Sequence, residues 1–314
     1  MTTARITSPE PEHRTAGRHY RWRRYVLHAF LISMAVVWIF PMAYGVITSL
    51  RSYDETAVNG YASVPALSDL SLDNFVQAWN QAELLHFFWN TAIIVVPAVI
   101  LVLFLGSMMA FTVSRYSWKF NLSLLMLFTA LNLLPPQIVI TPLWWMYVNL
   151  FKVPEDILPG IISGFPSDNG LLYDQVIGMI MIHVAFQLGC VTFVLSNYMK
   201  TIPKELSEAA AVDGASVPRQ FFQVILPLTR PALAALGTLE FTWLYNDFFW
   251  GAVLLNQGSE RPITSSIAVL NGQYAQEYNL IAAASIMIAL PTLIVYLVLQ
   301  KHFVGGLTLG ANKG

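Results

Sequence analysis

The chain has one cysteine, few charges and no nucleotide-binding glycine loop, and each shortage removes a class of protein. Only 11% of its 314 residues are Asp, Glu, Lys or Arg, against about 25% in soluble domains. A water-soluble globule is therefore excluded. Cys190 stands alone, without a cysteine for an intrachain disulfide or a shared metal site. It reads as a small packing residue within an apolar segment. No G-x-x-x-x-G-K-[ST] occurs, so there is no P-loop for ATP, and the loose glycines of FVGGLTLGANKG lack the required lysine directly after a glycine. The six histidines form no H-E-x-x-H or similar ligand pair. His183 alone reaches membrane depth, where a helix-packing hydrogen bond is a simpler role than lining a cavity. No local Ser-His-Asp or Cys-His pattern suggests an enzyme.

Apolar runs are abundant instead. Residues 25–50, 84–114, 120–151, 175–199 and 278–300 carry no Asp, Glu, Lys or Arg. A sixth segment, 231–255, is interrupted only by Glu240 and Asp247. A spanning helix needs about 20 apolar residues, so the expectation is an all-α polytopic membrane protein with six transmembrane helices. Barrel strands would be about 10 residues long with alternating polarity, and these runs are neither. All but three of the 17 Lys and Arg residues fall on one side when the N-terminus is placed in the cytoplasm. The exceptions are Arg51, Lys152 and Arg261. Because cytoplasmic loops retain Lys and Arg, both termini are expected in the cytoplasm. Residues 1–24 read as a basic, disordered topology anchor rather than a lipid or nucleic-acid contact. The run that follows is too long for a signal peptide and no A-x-A site closes it.

One cytoplasmic loop, 200–230, is polar and carefully punctuated: EAAAVDGASVPRQFFQVILP from Glu208 to Pro227. Pro203 suits a first helical turn, Lys204 to Val212 favours helix, and Gly214 can take the left-handed conformation that ends one. Ser216 can cap a second helix with Pro218 in its first turn. Phe221, Val224 and Ile225 then share a face, and Pro227 is expected to stop the helix before span five opens at Pro231. The spacing predicts a helix–turn–helix on the membrane face. By itself it fits a protein-docking knob or an ordinary interfacial loop.

This stretch resembles the EAA motif of ABC-importer permeases, E-A-A-x-x-x-G-x9-I-x-L-P. Glu208, Ala209, Ala210, Gly214, Leu226 and Pro227 match in register, with Val224 in place of the usual Ile. Asp213-Gly-Ala215 and Phe221 are similar to the carbohydrate branch. So are Leu72-Asp-Asn-Phe75, Phe88-Trp-Asn-Thr91, Thr141-Pro-Leu143, Asn246-Asp-Phe248 and the tail from Gln300 to Gly310. Residues 25–314 thus resemble the maltose/maltodextrin-type permeases, specifically the six-span partner of the pair, with a MetI-like fold.

The resemblance implies a subunit of an ATP-driven sugar importer in a bacterial cytoplasmic membrane. It would form half of the pathway with a second permease, as a heterodimer. Two ATPase subunits would carry ATP and Mg, an extracytoplasmic sugar-binding protein would deliver substrate, and this chain would bind no cofactor, metal or nucleic acid. The ATPase-docking residues carried over are Glu208, Ala209, Ala210, Asp213, Gly214, Ala215, Phe221, Leu226 and Pro227. The C-terminal tail, 301–314, would reach toward the ATPase on a backbone loosened by Gly305, Gly306, Gly310 and Gly314. No Lys or Arg lies at membrane depth, which favours a neutral sugar. In span five, Glu240, Trp243, Asp247 and Trp250 recur at spacings of three and four, which puts them on one face of a continuous helix. With Asn246 they could line a substrate path or form a packing seam. Glu240 and Asp247 also admit an alternative, an ion-coupled secondary transporter or a membrane enzyme.

Overall fold

The computed structural model describes residues 16–81, 83–116, 119–132, 134–149, 172–255, 260–265, 267 and 277–308. These are almost entirely helical, with a single isolated backbone bridge between Arg51 and Leu70. The elements run α1 (Ala16–Leu50), α2 (Tyr53–Asn59), α3 (Asp73–Gln81), α4 (Leu84–Arg115), α5 (Asn121–Asn132) and α6 (Pro136–Asn149). Then follow α7 (Val176–Met199), α8 (Glu205–Val212), α9 (Val217–Arg219), α10 (Leu226–Tyr245), α11 (Phe249–Leu254) and α12 (Tyr278–Thr308). A π-helical turn, Gln220–Ile225, joins α9 to α10.

Among the described residues, five helical stretches are long and apolar enough to cross a membrane: Trp22–Leu50, Leu84–Arg115, Val176–Met199, Val217–Tyr245 and Tyr278–Val298. The expected third span is not one helix. It divides into α5 and α6 around Leu134 and Pro135, because proline disfavours helix in the residue before it and suits a first helical turn. The start of the chain also differs from expectation. Helix begins at Ala16, so Arg18, Arg21, Arg23 and Arg24 lie within α1 rather than in an irregular arm. At the other end α12 runs through Gly305 and Gly306 to Thr308. Residues 1–15, Lys152, Gly310 and Gly314 lie outside the described residues.

Two buried clusters hold the helices together. One unites α3, the first half of α4, α7, α11 and α12 around Leu84, Met179, Trp250 and Leu280. The other lies at the loop end, where Phe111, Val191, Leu195, Phe221, Ile225 and Leu236 pack together. α4 and α7 form the most extensive helix pair. Their close approach uses Gly106, where an added Cβ would fall 2.6 Å from Cγ1 of Val191. Small residues at such contacts let two backbones come together where lipid offers no hydrophobic drive.

A polar knot closes the end opposite the loop. Arg51 is fully buried. Its guanidinium pairs with Glu55 and donates to the carbonyls of Gly60 (3.1 Å), Tyr61 (3.1 Å) and Ser63 (3.0 Å). Asn279 of α12 donates to the carbonyls of Thr48 (3.1 Å) and Arg51 (3.0 Å). Asn74 of α3 donates to those of Ser49 (2.8 Å) and Arg51 (2.7 Å). Buried carbonyls need such donors, so the Asn of the Leu72–Phe75 segment serves to anchor the end of α1.

Candidate functional site

The loop after α7 is held from both sides. Arg115, at the end of α4, donates to the carbonyls of Met199 (3.2 Å) and Ile202 (3.1 Å). α8 then runs Glu205–Val212 and closes by a Schellman turn. The N–H of Ala215 reaches the carbonyl of Ala210 (2.9 Å) and that of Gly214 reaches Ala211 (3.0 Å). This pattern requires a left-handed residue, and Gly214 supplies φ +80°. Ser216 opens α9 with extended backbone but makes no side-chain cap. The half-sealed turn is instead tied by the buried Gln220, whose amide donates to the carbonyl of Ala215 (2.9 Å).

Pro227 does not stop this helix. The chain turns through the π segment Gln220–Ile225 and continues as α10 past Pro227 and Pro231. A proline in an α-helix lacks its N–H and crowds the preceding turn. The wider π ladder, with Leu226 N–H bonding to the carbonyl of Phe221, accommodates the ring without a break. The loop and α10 are therefore one mechanical piece.

The structure divides the nine loop residues into two sets. Glu208, Ala209, Asp213 and Gly214 are exposed, and Ala210 and Ala215 are half-buried beside them. Phe221 is only 3% exposed and packs on Phe111 of α4, with ring centroids 5.4 Å apart. Leu226 and Pro227 are half-buried, with Leu226 packed against the same cluster. Phe221 is thus a buried anchor, which corrects its placement on a docking surface. Sequence reasoning missed Val212, 88% exposed at the tip of α8, and Val217, half exposed across the turn. An apolar residue between Ala211 and Asp213 in a polar loop is the signal that could have found it.

Span five is broken. α10 ends at Tyr245, Asn246 to Phe248 form an irregular step, and α11 restarts at Phe249. The Asp247 carboxylate accepts the N–H of Trp250 (3.1 Å), so it caps the new helix. The single face expected for Glu240, Trp243, Asp247 and Trp250 does not exist. Glu240 is 0% exposed, while Trp243 is 51% exposed. Trp250 is buried against Phe186 at 5.2 Å. Asn246 is exposed, its amide turned back to the carbonyl of Thr242 (2.8 Å). Neither carboxylate oxygen of Glu240 has a hydrogen-bond partner among the described residues. His183 approaches Asp247 from α7, with Nε2 3.9 Å from Oδ2, beyond hydrogen-bond length.

The step at 246–248 is braced from α4. Thr264 donates to the carbonyl of Asp247 (2.6 Å). Asn90 donates to the carbonyl of Arg261 (3.2 Å), and Thr91 Oγ1 accepts the N–H of Ile263 (2.8 Å). The Phe88-Trp-Asn-Thr91 and Asn246-Asp-Phe248 segments, far apart in sequence, are thus two parts of one assembly.

A profile of the binding-protein-dependent transport system inner membrane component family matches residues 102–308. The chain belongs to this family. It is a permease subunit of an ABC importer, a multi-pass membrane protein rather than an enzyme. Family membership replaces the ion-coupled transporter and the membrane enzyme considered from Glu240 and Asp247. The melibiose/raffinose/stachyose import permease MelC of Bacillus subtilis is 32% identical over 79% of this chain and 83% of its own. A probable ABC transporter permease of Pyrococcus horikoshii is 28% identical, covering 91% of this chain and 96% of that one. The diacetylchitobiose uptake permease NgcG of Streptomyces coelicolor is 29% identical over 92% and 88%. The fold matches a chain of a bacterial ABC transporter that imports the acidic polysaccharide alginate, with a TM-score of 0.71 at 21% identity, over 92% of this chain and 99% of that chain.

Proposed function

We propose that this permease imports a neutral sugar or oligosaccharide and docks its ATPase through the exposed turn at Glu208–Gly214. The supporting observation is mechanical. α8 is locked by the Gly214 turn, tied by Gln220, and continuous with α10 through the π segment. A push on α8 is therefore delivered to a membrane helix as a rigid-body rotation. Val212, Ala209 and Glu208 offer an apolar tip with charge beside it, a composition suited to a partner's cleft.

In this reading α5 and α6 together make one crossing, which gives six in all, and both termini are cytoplasmic. A second, non-identical permease completes the pathway, two ATPase subunits hold ATP and Mg, and an extracytoplasmic binding protein delivers the sugar. A neutral substrate follows from the absence of Lys and Arg in the middle of the described spans. The names of relatives such as MelC and NgcG carry the same sugar class to this chain.

The test is ATPase capture from detergent extracts. Glu208→Lys reverses charge on the exposed face, and Gly214→Pro forbids positive φ and removes the N–H donated to Ala211. Each should lower capture about tenfold or more, the loss typical of a central interface residue, with insertion unchanged. Undiminished capture and transport in both variants would remove the turn from the mechanism.

A further inference from the structure

A cavity of about 350 Å³ opens at the foot of α4, lined by Val113, Ser114, Arg115, Tyr116, Asn121, Leu125, Lys200 and Lys204. Its three charged side chains are all cationic. Lys200 and Lys204 are exposed and make no ion pair among the described residues. Arg115 spends two donors on the α7 carbonyls, while its Nε has no acceptor among the described residues. A smaller cavity next to it, about 220 Å³, shares Arg115 and Lys204 but contains Glu208. No carboxylate lines the first, although Glu205, which follows Lys204, acts on Arg115 through space.

The chemistry of the walls is mixed in one direction. Buried Leu125 and Val113 form an apolar side. On the same turn and helix Phe120, Met126 and Leu127 expose their side chains, which in a membrane face acyl chains. Tyr116, exposed at the junction, is a residue type favoured at headgroup level. Charge and grease thus meet where a spanning helix leaves the bilayer, and basic pockets at that depth select anionic headgroups.

We infer that this cavity holds the phosphate of an anionic phospholipid, with the glycerol and upper acyl chains along α5. Lys204 immediately precedes α8, so the bound headgroup sits at the root of the docking turn and fixes the angle at which α8 leaves the membrane. The lipid site itself does not depend on the sugar or on the ATPase contact; only its effect on the angle of α8 rests on the proposed docking role.

The experiment uses the assembled transporter, stripped of lipid in detergent and examined by native mass spectrometry. Dioctanoyl phosphatidylglycerol should be retained, and dioctanoyl phosphatidylcholine at equal concentration should not. The double variant Lys200→Gln, Lys204→Gln alters exposed side chains only, and its melting point reports that the fold is intact. Its affinity for the anionic lipid should fall roughly 25-fold, from about fivefold per cation at an anionic surface. Equal retention of both lipids, or unchanged affinity in the double variant, overturns the site. Displacement of the lipid by millimolar inorganic phosphate assigns the cavity to a soluble anion and overturns the lipid.

Discussion

Arg51 and Glu240 are both fully buried, yet one is saturated with partners and the other has no hydrogen-bond partner among the described residues. Arg51 binds Glu55 and four oxygens of the Gly60–Ser63 turn. Hydrogen bonding from Arg51 holds the Glu55 carboxyl below the usual carboxylate range. A carboxyl depressed in the folded state adds stability that is complete above its unfolded value of 4.5 and lost as pH falls through the lower folded value. The contact between α2 and the Gly60–Ser63 turn should therefore be tight at neutral pH and loosen in acid, as pH falls below the unfolded value of 4.5. Amide exchange over residues 53–63 checks this, and Glu55→Gln should flatten the pH dependence. An identical acid response in that variant would assign the loosening elsewhere. Glu240 presents the opposite case. A buried polar group without a partner costs about 1–3 kcal/mol, so Glu240→Leu should raise the melting point of the isolated chain. A lower melting point would mean that the carboxylate has a stabilising contact after all.

The helices themselves were largely legible, because uncharged runs of spanning length leave few alternatives. Their interruptions were not. Pro135-Pro136 and Asn246-Asp247 both sit inside apolar runs, where counting by length overrides punctuation. Asp247 followed by an aromatic and apolar segment is a helix-start signal in its own right, and its carboxylate takes the Trp250 N–H from one residue before the N-cap Phe248. Pro227 misled in the other direction, since a π turn absorbed a residue that ordinarily ends a helix. The turn after α8 was readable down to the sign of φ at Gly214, because its grammar is local. The burial of Phe221 was not, since its partner Phe111 lies on another helix. At this scale the α4–α7 pair makes a sharp prediction. Gly106→Ala should separate the helices and cost about 1–3 kcal/mol, because Val191 is β-branched and cannot swing away freely. Adding Val191→Ala should restore most of the loss. A melting point unchanged in the single variant would show that the pair has slack.

On the scale of the whole molecule, α1 is the outlier. Apart from Thr48 and Ser49 at its end, its stretch Trp22–Leu50 has no buried residue, and it touches chiefly α12 and α3. The knot at its end therefore matters disproportionately. Asn279→Leu removes one donor each from the Thr48 and Arg51 carbonyls, which keep the Arg51 N–H and the Asn74 amide, so the cost is that of two hydrogen bonds, about 1–3 kcal/mol. Thermal unfolding should show it, with proteolysis in the 53–81 region rising in parallel; protection equal to the parent would shift the anchoring role to Asn74. The family profile begins at residue 102, beyond α1, α2 and α3, so this knot joins the profiled part of the chain to the part before it. Its two asparagines address backbone oxygens at 48, 49 and 51, never the side chains there. Every residue type carries that oxygen. The knot thus constrains positions 48 and 49 by the space around their buried side chains and by the path of the backbone, and asks no particular hydrogen-bonding group of either side chain.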